Sequence, residues 1–325
     1  MAGKTAEVTS VSKKERKWTV KAVKRDVQMN WQIYLLALPI LAYFIIFNYI
    51  PMAGLSMAFQ NYDMKIGFLG AGVDWIGFKH FEEFITGPYF WRLVRNTFLI
   101  SLYSLIFSFP MPIIFALLLN EVKNRYFKKT VQTMSYLPYF ISMVVICGLI
   151  KDFCEVGGML SSLAQSLGAY GGNAVSLLEK KELFRVIYIG SDVWQGIGFG
   201  SIIYLSALSS IDMELYEAAV IDGAGRWKQT WHITLPGIAP TIIIMLIMRM
   251  GSLFSVGFEK IILLYNDLTR EVADVISSYN YRVSLQSGSR YDFGTAVGLL
   301  NSVINFIFLI VTNTISRKVS ETSLF

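Results

Sequence analysis

Long stretches without charged side chains dominate the pattern of apolar and polar positions along the chain. Crossing the hydrocarbon core of a bilayer takes roughly 20 helical residues. Stretches of about that length lack Asp, Glu, Lys and Arg at 27–62, 96–120, 130–150, 193–211, 229–248 and 293–316. They predict six transmembrane helices, which we place at 31–57, 96–119, 132–151, 186–208, 239–258 and 293–315.

The same stretches are continuous in Leu, Ile and Phe, whereas a membrane β-barrel is built from short strands of alternating polarity. The predicted fold class is therefore an all-α membrane protein. Composition supports this class, because 54% of the residues are hydrophobic and 16% are charged. Soluble domains are about 45–50% apolar and about 25% charged.

The distribution of Lys and Arg predicts that both termini face the cytoplasm, where the loops of membrane proteins carry an excess of these residues. Sixteen Lys and Arg lie in 1–29, 120–130, 209–237 and 316–325, and eight lie in the other loops, 60–91, 152–184 and 260–292. The formal charge of +6 arises mostly from the basic tail and loops. We therefore expect contact with anionic lipid and no binding of nucleic acid. The tail has no apolar stretch, so we expect no cleaved signal peptide.

Residues that commonly carry metal or nucleotide chemistry are sparse. Cys147 and Cys154 are seven positions apart, about 10 Å along a helix, which is too far for a disulfide. The two histidines, His80 and His232, are far apart in the sequence, and no Cys, His or carboxylate cluster has metal-ligand spacing. We predict no metal and no ATP site in this chain.

The segment 209–237 differs from the other predicted cytoplasmic segments because it contains helix signals of its own. Asp212 is a plausible N-cap for a helix over 213–221, which Gly223 and Gly225 would end. A second short helix is expected from Arg226 to about His232, and Pro236 suits the start of the fifth transmembrane helix. The segment therefore predicts two short helices beneath the membrane.

Part of this segment resembles a known signature. Glu217-Ala218-Ala219, three residues, Gly223, nine residues, Ile233, one residue and Leu235-Pro236 match the EAA motif of permease subunits of binding-protein-dependent ABC importers. Over 30–318 the chain also looks like the oligosaccharide-uptake branch, with its maltose-type and polysaccharide-type members. The residues that carry this second likeness are Ile211-Asp212, Leu215-Tyr216, Phe258-Glu259-Lys260, Leu263-Leu264-Tyr265-Asn266 and Tyr281-Arg282-Val283.

The resemblance implies a type I ABC importer permease with six transmembrane helices and both termini in the cytoplasm. It divides the chain into a basic cytoplasmic tail over 1–29, a permease domain over 30–318 and a second cytoplasmic tail over 319–325. Glu217 would supply a charge to a basic socket on an ATPase. The implied ATPase-coupling residues are Glu217, Ala218, Ala219, Asp222, Gly223, Ala224, Gly225, Arg226, Leu235 and Pro236.

The resemblance also implies partners and a location. The expected partners are a second EAA-bearing permease subunit, two ATPase subunits, an extracellular solute-binding protein and an oligosaccharide substrate. This chain would not be an enzyme and would hold no cofactor, since ATP and Mg²⁺ would bind to the ATPase subunits. The expected location is the bacterial cytoplasmic membrane, which the chain would cross several times.

Polar residues within the predicted helices are candidates for a substrate pathway, because lipid would penalise them. Hydrogen bonds between helices are the alternative role for these side chains. Sugars need hydrogen-bonding groups beside aromatic rings, and Arg249 is expected near mid-membrane with Glu259 at the outer end of the fifth helix. The candidates are Asp192, Trp194, Gln195, Tyr204, Arg249, Glu259, Asn301 and Asn305.

Two other functions compete with an importer subunit. A proton-coupled secondary sugar carrier would use Asp192, Arg249 and Glu259 as its proton relay, but it would have no use for the segment 209–237. A membrane enzyme would need a set of nucleophile, base and orienting residue, and the sequence offers none at a defined spacing.

Overall fold

The computed structural model describes residues 20–70, 72–288 and 290–320, which are mostly helical. Most of both predicted tails, 1–19 and 321–325, lies outside the described residues. The described residues divide into two compact units, with the boundary between Leu55 and Ser56.

The first unit is a pair of consecutive helices. α1 spans Val20–Met29 and α2 spans Trp31–Phe44, followed by a π-helical turn at Ile45–Tyr49 and α3 at Ile50–Met52. Asp26 joins the two helices by accepting hydrogen bonds from Asn30 Nδ2 at 2.9 Å and the Tyr34 hydroxyl at 2.7 Å. The apolar helical stretch Trp31–Phe59, which ends in a 3₁₀ helix from Ala53, confirms the helix predicted at 31–57.

The second unit contains one small hairpin and fourteen further α-helices among the described residues. In the hairpin, β1 at Gln60–Asn61 pairs antiparallel with β2 at Asp74–Trp75. The helices up to residue 209 are α4 Lys79–Thr86, α5 Phe90–Tyr103, α6 Pro110–Glu121, α7 Arg125–Tyr136, α8 Met143–Cys154, α9 Met159–Ser166 and α10 Lys181–Ser209. The later helices are α11 Met213–Ile221, α12 Arg226–Gln229, α13 Leu235–Met250, α14 Phe258–Leu264, α15 Arg270–Ala273, α16 Ile276–Asn280 and α17 Tyr291–Ser320.

Shorter helical turns connect several of these helices. Three are π-helical, at Ser104–Ser108 between α5 and α6, at Thr230–Thr234 between α12 and α13, and at Tyr281–Gln286 after α16. Others are 3₁₀ turns at Leu137–Phe140, Ala169–Gly172 and Leu177–Glu179.

Four helical stretches of the described chain are long and apolar enough to cross a membrane, namely Trp31–Phe59, Phe90–Glu121, Arg226–Met250 and Tyr291–Lys318. Two bent pairs pass the same test together. Arg125–Phe140 meets Met143–Ser166 at 101°, and Lys181–Ser209 meets Met213–Ile221 at 71°. Counting each pair as one span gives the predicted six.

The third predicted helix, 132–151, is wrong as a single rod. The chain turns through 101° between α7 and α8 because Pro138 lies in the 3₁₀ turn and Ile141 is extended. The Ser142 hydroxyl then accepts a hydrogen bond from the Val145 N–H at 3.4 Å and caps a new helix. Proline lacks a backbone donor, and serine favours N-caps, so the sequence breaks the helix at this point.

The fifth predicted helix, 239–258, is displaced toward the N-terminus. The continuous helix begins at Arg226 and ends at Met250, with Pro236 near the start of α13 and Pro240 tolerated inside it. Gly251 follows as the C-cap and Gly257 precedes α14. Arg249 therefore lies in the last turn of α13, and Glu259 lies on α14 rather than on the fifth helix.

The core of the second unit is organised around α10. Near its N-terminal end, Phe184 and Tyr188 belong to a cluster with Ile146 of α8 and Ile261 of α14. Near its C-terminal end, Tyr204 and Leu208 pack with helices α6 and α13 in a second cluster. This position makes α10 the common wall of the spaces described below.

Close approach of α10 to α7 depends on a glycine. A Cβ atom at Gly198 would lie 2.1 Å from the Ser135 carbonyl oxygen and 2.4 Å from the Ser135 carbonyl carbon. Real Cβ atoms essentially never approach another atom this closely. Only glycine permits the observed spacing of the two helices.

A buried ion pair orders the segment between α15 and the π turn at 281–286. Asp274, with a fully buried side chain, receives two hydrogen bonds from Arg282, at 2.9 Å and 2.5 Å. Ser278 Oγ donates to the same carboxylate at 2.6 Å, and Asn96 Nδ2 donates to the Asp274 carbonyl at 2.9 Å. These contacts connect α5 to the segment before α17.

A second polar group joins the hairpin region to the start of α17. His80 Nε2 lies 3.0 Å from the Gln60 carbonyl oxygen and 3.2 Å from Asp292 Oδ2. Arg290 donates two hydrogen bonds of 2.6 Å to Glu83 of α4. Hydrogen bonding from Arg290 lowers the pKa of Glu83 below its usual 4.5.

Candidate functional site

The segment 209–237 forms the predicted pair of short helices. Asp212 caps α11 by accepting a hydrogen bond from the Glu214 N–H at 3.0 Å, which confirms the helix predicted at 213–221. The second helix, predicted to stop near His232, instead continues through the π turn at Thr230–Thr234 into α13. The segment therefore ends in a transmembrane helix without a break.

The turn after α11 depends on Gly223, whose φ of +73° lies in the left-handed region that favours glycine. The Ala224 N–H donates to the Ala219 carbonyl at 2.8 Å, and Gln229 Nε2 donates to the Ala224 carbonyl at 2.9 Å. Tyr216 and Thr234 join their hydroxyls at 3.0 Å. These bonds hold α11 in a fixed position against the start of α13.

Glu217 and Ala218 lie on the exposed side of α11, and the Glu217 carboxylate forms no ion pair with any residue that the structure describes. A cavity of about 570 Å³ opens beside Glu217. Ile221 is 86% exposed and Trp227 is 79% exposed. Exposed apolar side chains of this size around a concave surface are typical of a docking site for another protein.

Sequence reasoning missed one contact of this segment. Arg226 Nη1 lies 3.4 Å from Glu121 Oε2 at the C-terminal end of α6. The pair connects the start of α12 to the apolar helical stretch Phe90–Glu121. Glu121 carried no signal beyond its position at the end of an apolar run. The remaining predicted coupling residues lie on the turn or at its exit, namely Asp222 and Gly225 in the turn and Leu235 and Pro236 at the start of α13.

Two cavities lie between the spanning helices. The larger, about 410 Å³, is bounded by α10, α13 and the junction of the Ser104–Ser108 turn with α6. The smaller, about 240 Å³, is bounded by α5, α10, α14 and the 251–257 turn. Asp192, Arg249 and Ser252 line both cavities, so the two spaces meet at these side chains.

The predicted pathway residues divide into two groups. Asp192, Tyr204, Arg249 and Glu259 line one or both cavities. The others line neither of these two cavities, namely Trp194, Gln195, Asn301 and Asn305.

Two members of the second group have identifiable positions. Trp194 is 49% exposed on the outer surface of the single chain. Asn305 accepts a hydrogen bond from the Phe254 N–H and donates one to Ser255 Oγ, each at 2.8 Å. Asn305 thus holds the 251–257 turn against α17, which is the helix-joining role that competed with sugar contact.

Lys260 is a second residue that sequence reasoning did not select for the pathway. Its side chain is 4% exposed, and its ammonium lies 3.7 Å from Asp192 Oδ1. Lys260 also donates to the Tyr188 carbonyl at 3.1 Å and lies 4.6 Å from the centroid of the Tyr188 ring. A lysine flanked by an Ile-Ile-Leu-Leu run was the available signal, because such a lysine needs a buried partner.

Comparison with known proteins agrees with this architecture. Residues 108–321 match the family described as "Binding-protein-dependent transport system inner membrane component". The chain is 41% identical over 305 residues to Protein LplB of Bacillus subtilis (strain 168), covering 94% of this chain and 93% of that protein. It is 40% identical over 294 residues to the polygalacturonan/rhamnogalacturonan transport system permease protein YteP of the same organism, covering 90% of each.

Solved structures show the same fold. A chain in the crystal structure of a bacterial ABC transporter involved in the import of the acidic polysaccharide alginate is 43% identical, with a TM-score of 0.83. The match covers 92% of this chain and 99% of that one. With a family match over most of the chain, a solved structure of the same fold and several apolar helices, the protein belongs to the multi-pass inner membrane components of binding-protein-dependent ABC transport systems.

Proposed function

We propose that this chain is one permease subunit of an ATP-driven importer that moves an oligosaccharide across the cytoplasmic membrane. Two separate ATPase subunits bind ATP and Mg²⁺ and transmit their movement through the coupling segment, residues 212–236. A second EAA-bearing permease subunit completes the pathway, and an extracellular solute-binding protein delivers the sugar. The ATPase subunits hydrolyse ATP, so this chain forms part of the pathway and changes conformation but catalyses no reaction.

Glu217 is the residue on which this assignment rests. Its exposed carboxylate stands beside a concave surface with apolar side chains, on a helix fixed by the Gly223 turn. An exposed carboxylate on a fixed helix can pair with a basic pocket on the ATPase subunit. A close ion pair at an interface keeps the two surfaces in contact when one of them moves. The continuous helix Arg226–Met250 then carries the movement into the membrane.

The proposed cargo class rests on the relatives and on the cavities. The names of similar transport proteins refer to polygalacturonan, rhamnogalacturonan, alginate and arabinooligosaccharides. The larger cavity combines aliphatic and aromatic walls with hydroxyl and charged groups. Sugars present both hydroxyl groups and apolar C–H faces, and such a lining suits both.

A charge reversal at Glu217 tests the coupling role. Glu217→Lys places a positive charge toward the proposed basic socket, and like charges at an interface cost several kcal/mol. We expect ATP-dependent uptake and ATPase co-purification to fall at least about tenfold, which corresponds to about 1.4 kcal/mol, while the chain still inserts. Glu214→Lys is the matched control, because Glu214 is an exposed acid of the same helix that does not line the cavity.

The results separate coupling from folding. Equal losses of uptake in Glu217→Lys and Glu214→Lys would mean that uptake depends on the net charge of α11 rather than on a contact of Glu217. Normal uptake in Glu217→Lys would contradict the coupling role of Glu217. A proton-coupled carrier would instead draw its energy from a proton gradient rather than from ATP. Uptake in vesicles that persists without ATP and stops with a protonophore would favour that carrier.

A further inference from the structure

The larger cavity is lined by a cation that forms no ion pair with the residues that the structure describes. Arg249, in the last turn of α13, lines this cavity and the smaller one. Its Nη2 donates a hydrogen bond to Ser104 Oγ. No carboxylate of the described residues lies within ion-pair distance of its guanidinium.

The two acids that line these cavities with Arg249 are Asp192 and Glu259. Asp192 pairs with the buried Lys260, whose ammonium is 3.7 Å from Asp192 Oδ1. Glu259 lines only the smaller cavity. Because Lys260 neutralises Asp192, Arg249 is the charged group that remains for an occupant of the larger cavity, among the residues that line it.

The Arg249 side chain is exposed in the described chain, so its guanidinium is accessible from the cavity. A cation in a membrane-spanning segment that faces a cavity marks a candidate functional site. A guanidinium has five N–H donors, and the described contacts use one of them, on Ser104. The remaining fork has the planar geometry that binds a carboxylate through two parallel hydrogen bonds. The lining of the same cavity includes the apolar side chains of Phe109, Pro112 and Met245.

We infer that Arg249 binds a carboxylate of the cargo, so that the transported oligosaccharide is built from uronic acids. This inference rests on the proposed function. The uronate carboxylate pairs with the Arg249 guanidinium, while the sugar rings lie against the apolar wall and Tyr204. Ser252 lines the same space beside Arg249. Arg249 acts as a charge filter, because a neutral sugar would leave it without an anion.

Transport of matched sugars tests this inference in the assembled importer with its binding protein. The probes are trisaccharides of galacturonate, mannuronate and guluronate, with the neutral galactose and mannose trisaccharides as their counterparts. We expect ATP-dependent uptake of at least one uronate trisaccharide at a rate at least about tenfold above that of its neutral counterpart, because charged hydrogen bonds are worth about that factor or more.

Variants locate the selectivity. Arg249→Met should lower uptake of the uronate trisaccharide about tenfold or more and leave the residual uptake without preference for charge. Arg249→Lys keeps the charge without the fork and should retain part of the preference. Ser104→Ala removes the hydroxyl partner alone and should leave the preference intact.

The outcomes distinguish this inference from the proposed function. ATP-dependent uptake of neutral trisaccharides alone, or a charge preference unchanged in an Arg249→Met complex of normal yield, would overturn the role of Arg249 and leave the importer standing. Equal loss of neutral and acidic uptake in Arg249→Met and Ser104→Ala would show that Arg249 only supports the Ser104–Ser108 turn, which also overturns it. Absence of ATP-dependent uptake for every sugar would instead count against the proposed function.

Discussion

Adding one methyl group at Gly198 should separate two helices of the core. The Cβ atom of Gly198→Ala would lie 2.1 Å from the Ser135 carbonyl oxygen, whereas ordinary contacts begin at 3.4 Å, so the spacing falls short by 1.3 Å. The obstacle is backbone of α7 and cannot rotate away. Overpacking costs about 1–3 kcal/mol, and we expect the upper end of that range here. Alanine recovers up to about 1 kcal/mol of helix propensity, which leaves a net loss of about 2 kcal/mol.

The assay is thermal unfolding of the purified complex in detergent, with complex yield measured in parallel. Gly190→Ala is the matched control, because Gly190 lies in the same helix and a Cβ atom there meets nothing within 4 Å. Its melting temperature should equal or exceed that of the wild type, while that of Gly198→Ala should fall. Identical melting temperatures for the two variants would refute the reasoning from helix spacing.

Three further predictions concern the loops and the termini. Asp274→Asn should destabilise the protein by about 3–5 kcal/mol because it leaves the Arg282 charge uncompensated, and adding Arg282→Met should recover part of the lost melting temperature. The folded-state pKa of Glu83 is depressed by Arg290, so this ion pair contributes stability above pH 4.5 that is lost as the pH falls through the lower folded-state value. An Arg290→Gln variant should therefore show a weaker loss of melting temperature in acid, and an equal loss would contradict the assignment. A cysteine at Ser323, which lies outside the described residues, should not react with an impermeant thiol reagent added to intact cells, whereas a reaction would reverse the orientation.

Features with a local cause could be predicted from the sequence. The helix over 213–221 followed from the Asp212 cap and the glycines after it, and both lie within a few residues of the helix they define. The bend at Pro138 and the end of α13 at Gly251 were missed, because apolar residues continue beyond both positions and hydropathy alone does not register a turn. Turn residues inside a long apolar run were the overlooked signal.

The pathway was harder to predict because its residues come from distant segments. Asp192 and Lys260 form one pair across 68 positions, and only tertiary packing places them together. Asn305 illustrates the opposite error. A polar residue in a membrane helix suggested sugar contact, but its amide is occupied by the backbone of Phe254 and the hydroxyl of Ser255.

The helix Arg226–Met250 contacts the same neighbouring span through polar side chains at both of its ends. Arg226 holds Glu121, and Arg249 holds Ser104, and both of these acceptors belong to the span Phe90–Glu121. Arg226 and Arg249 are roughly 35 Å apart along the helix axis, at a rise of 1.5 Å per residue. If one span slides along the other, the Arg226–Glu121 ion pair and the Arg249–Ser104 hydrogen bond must both break. We therefore expect the two ends of the helix Arg226–Met250 to move together against the span Phe90–Glu121.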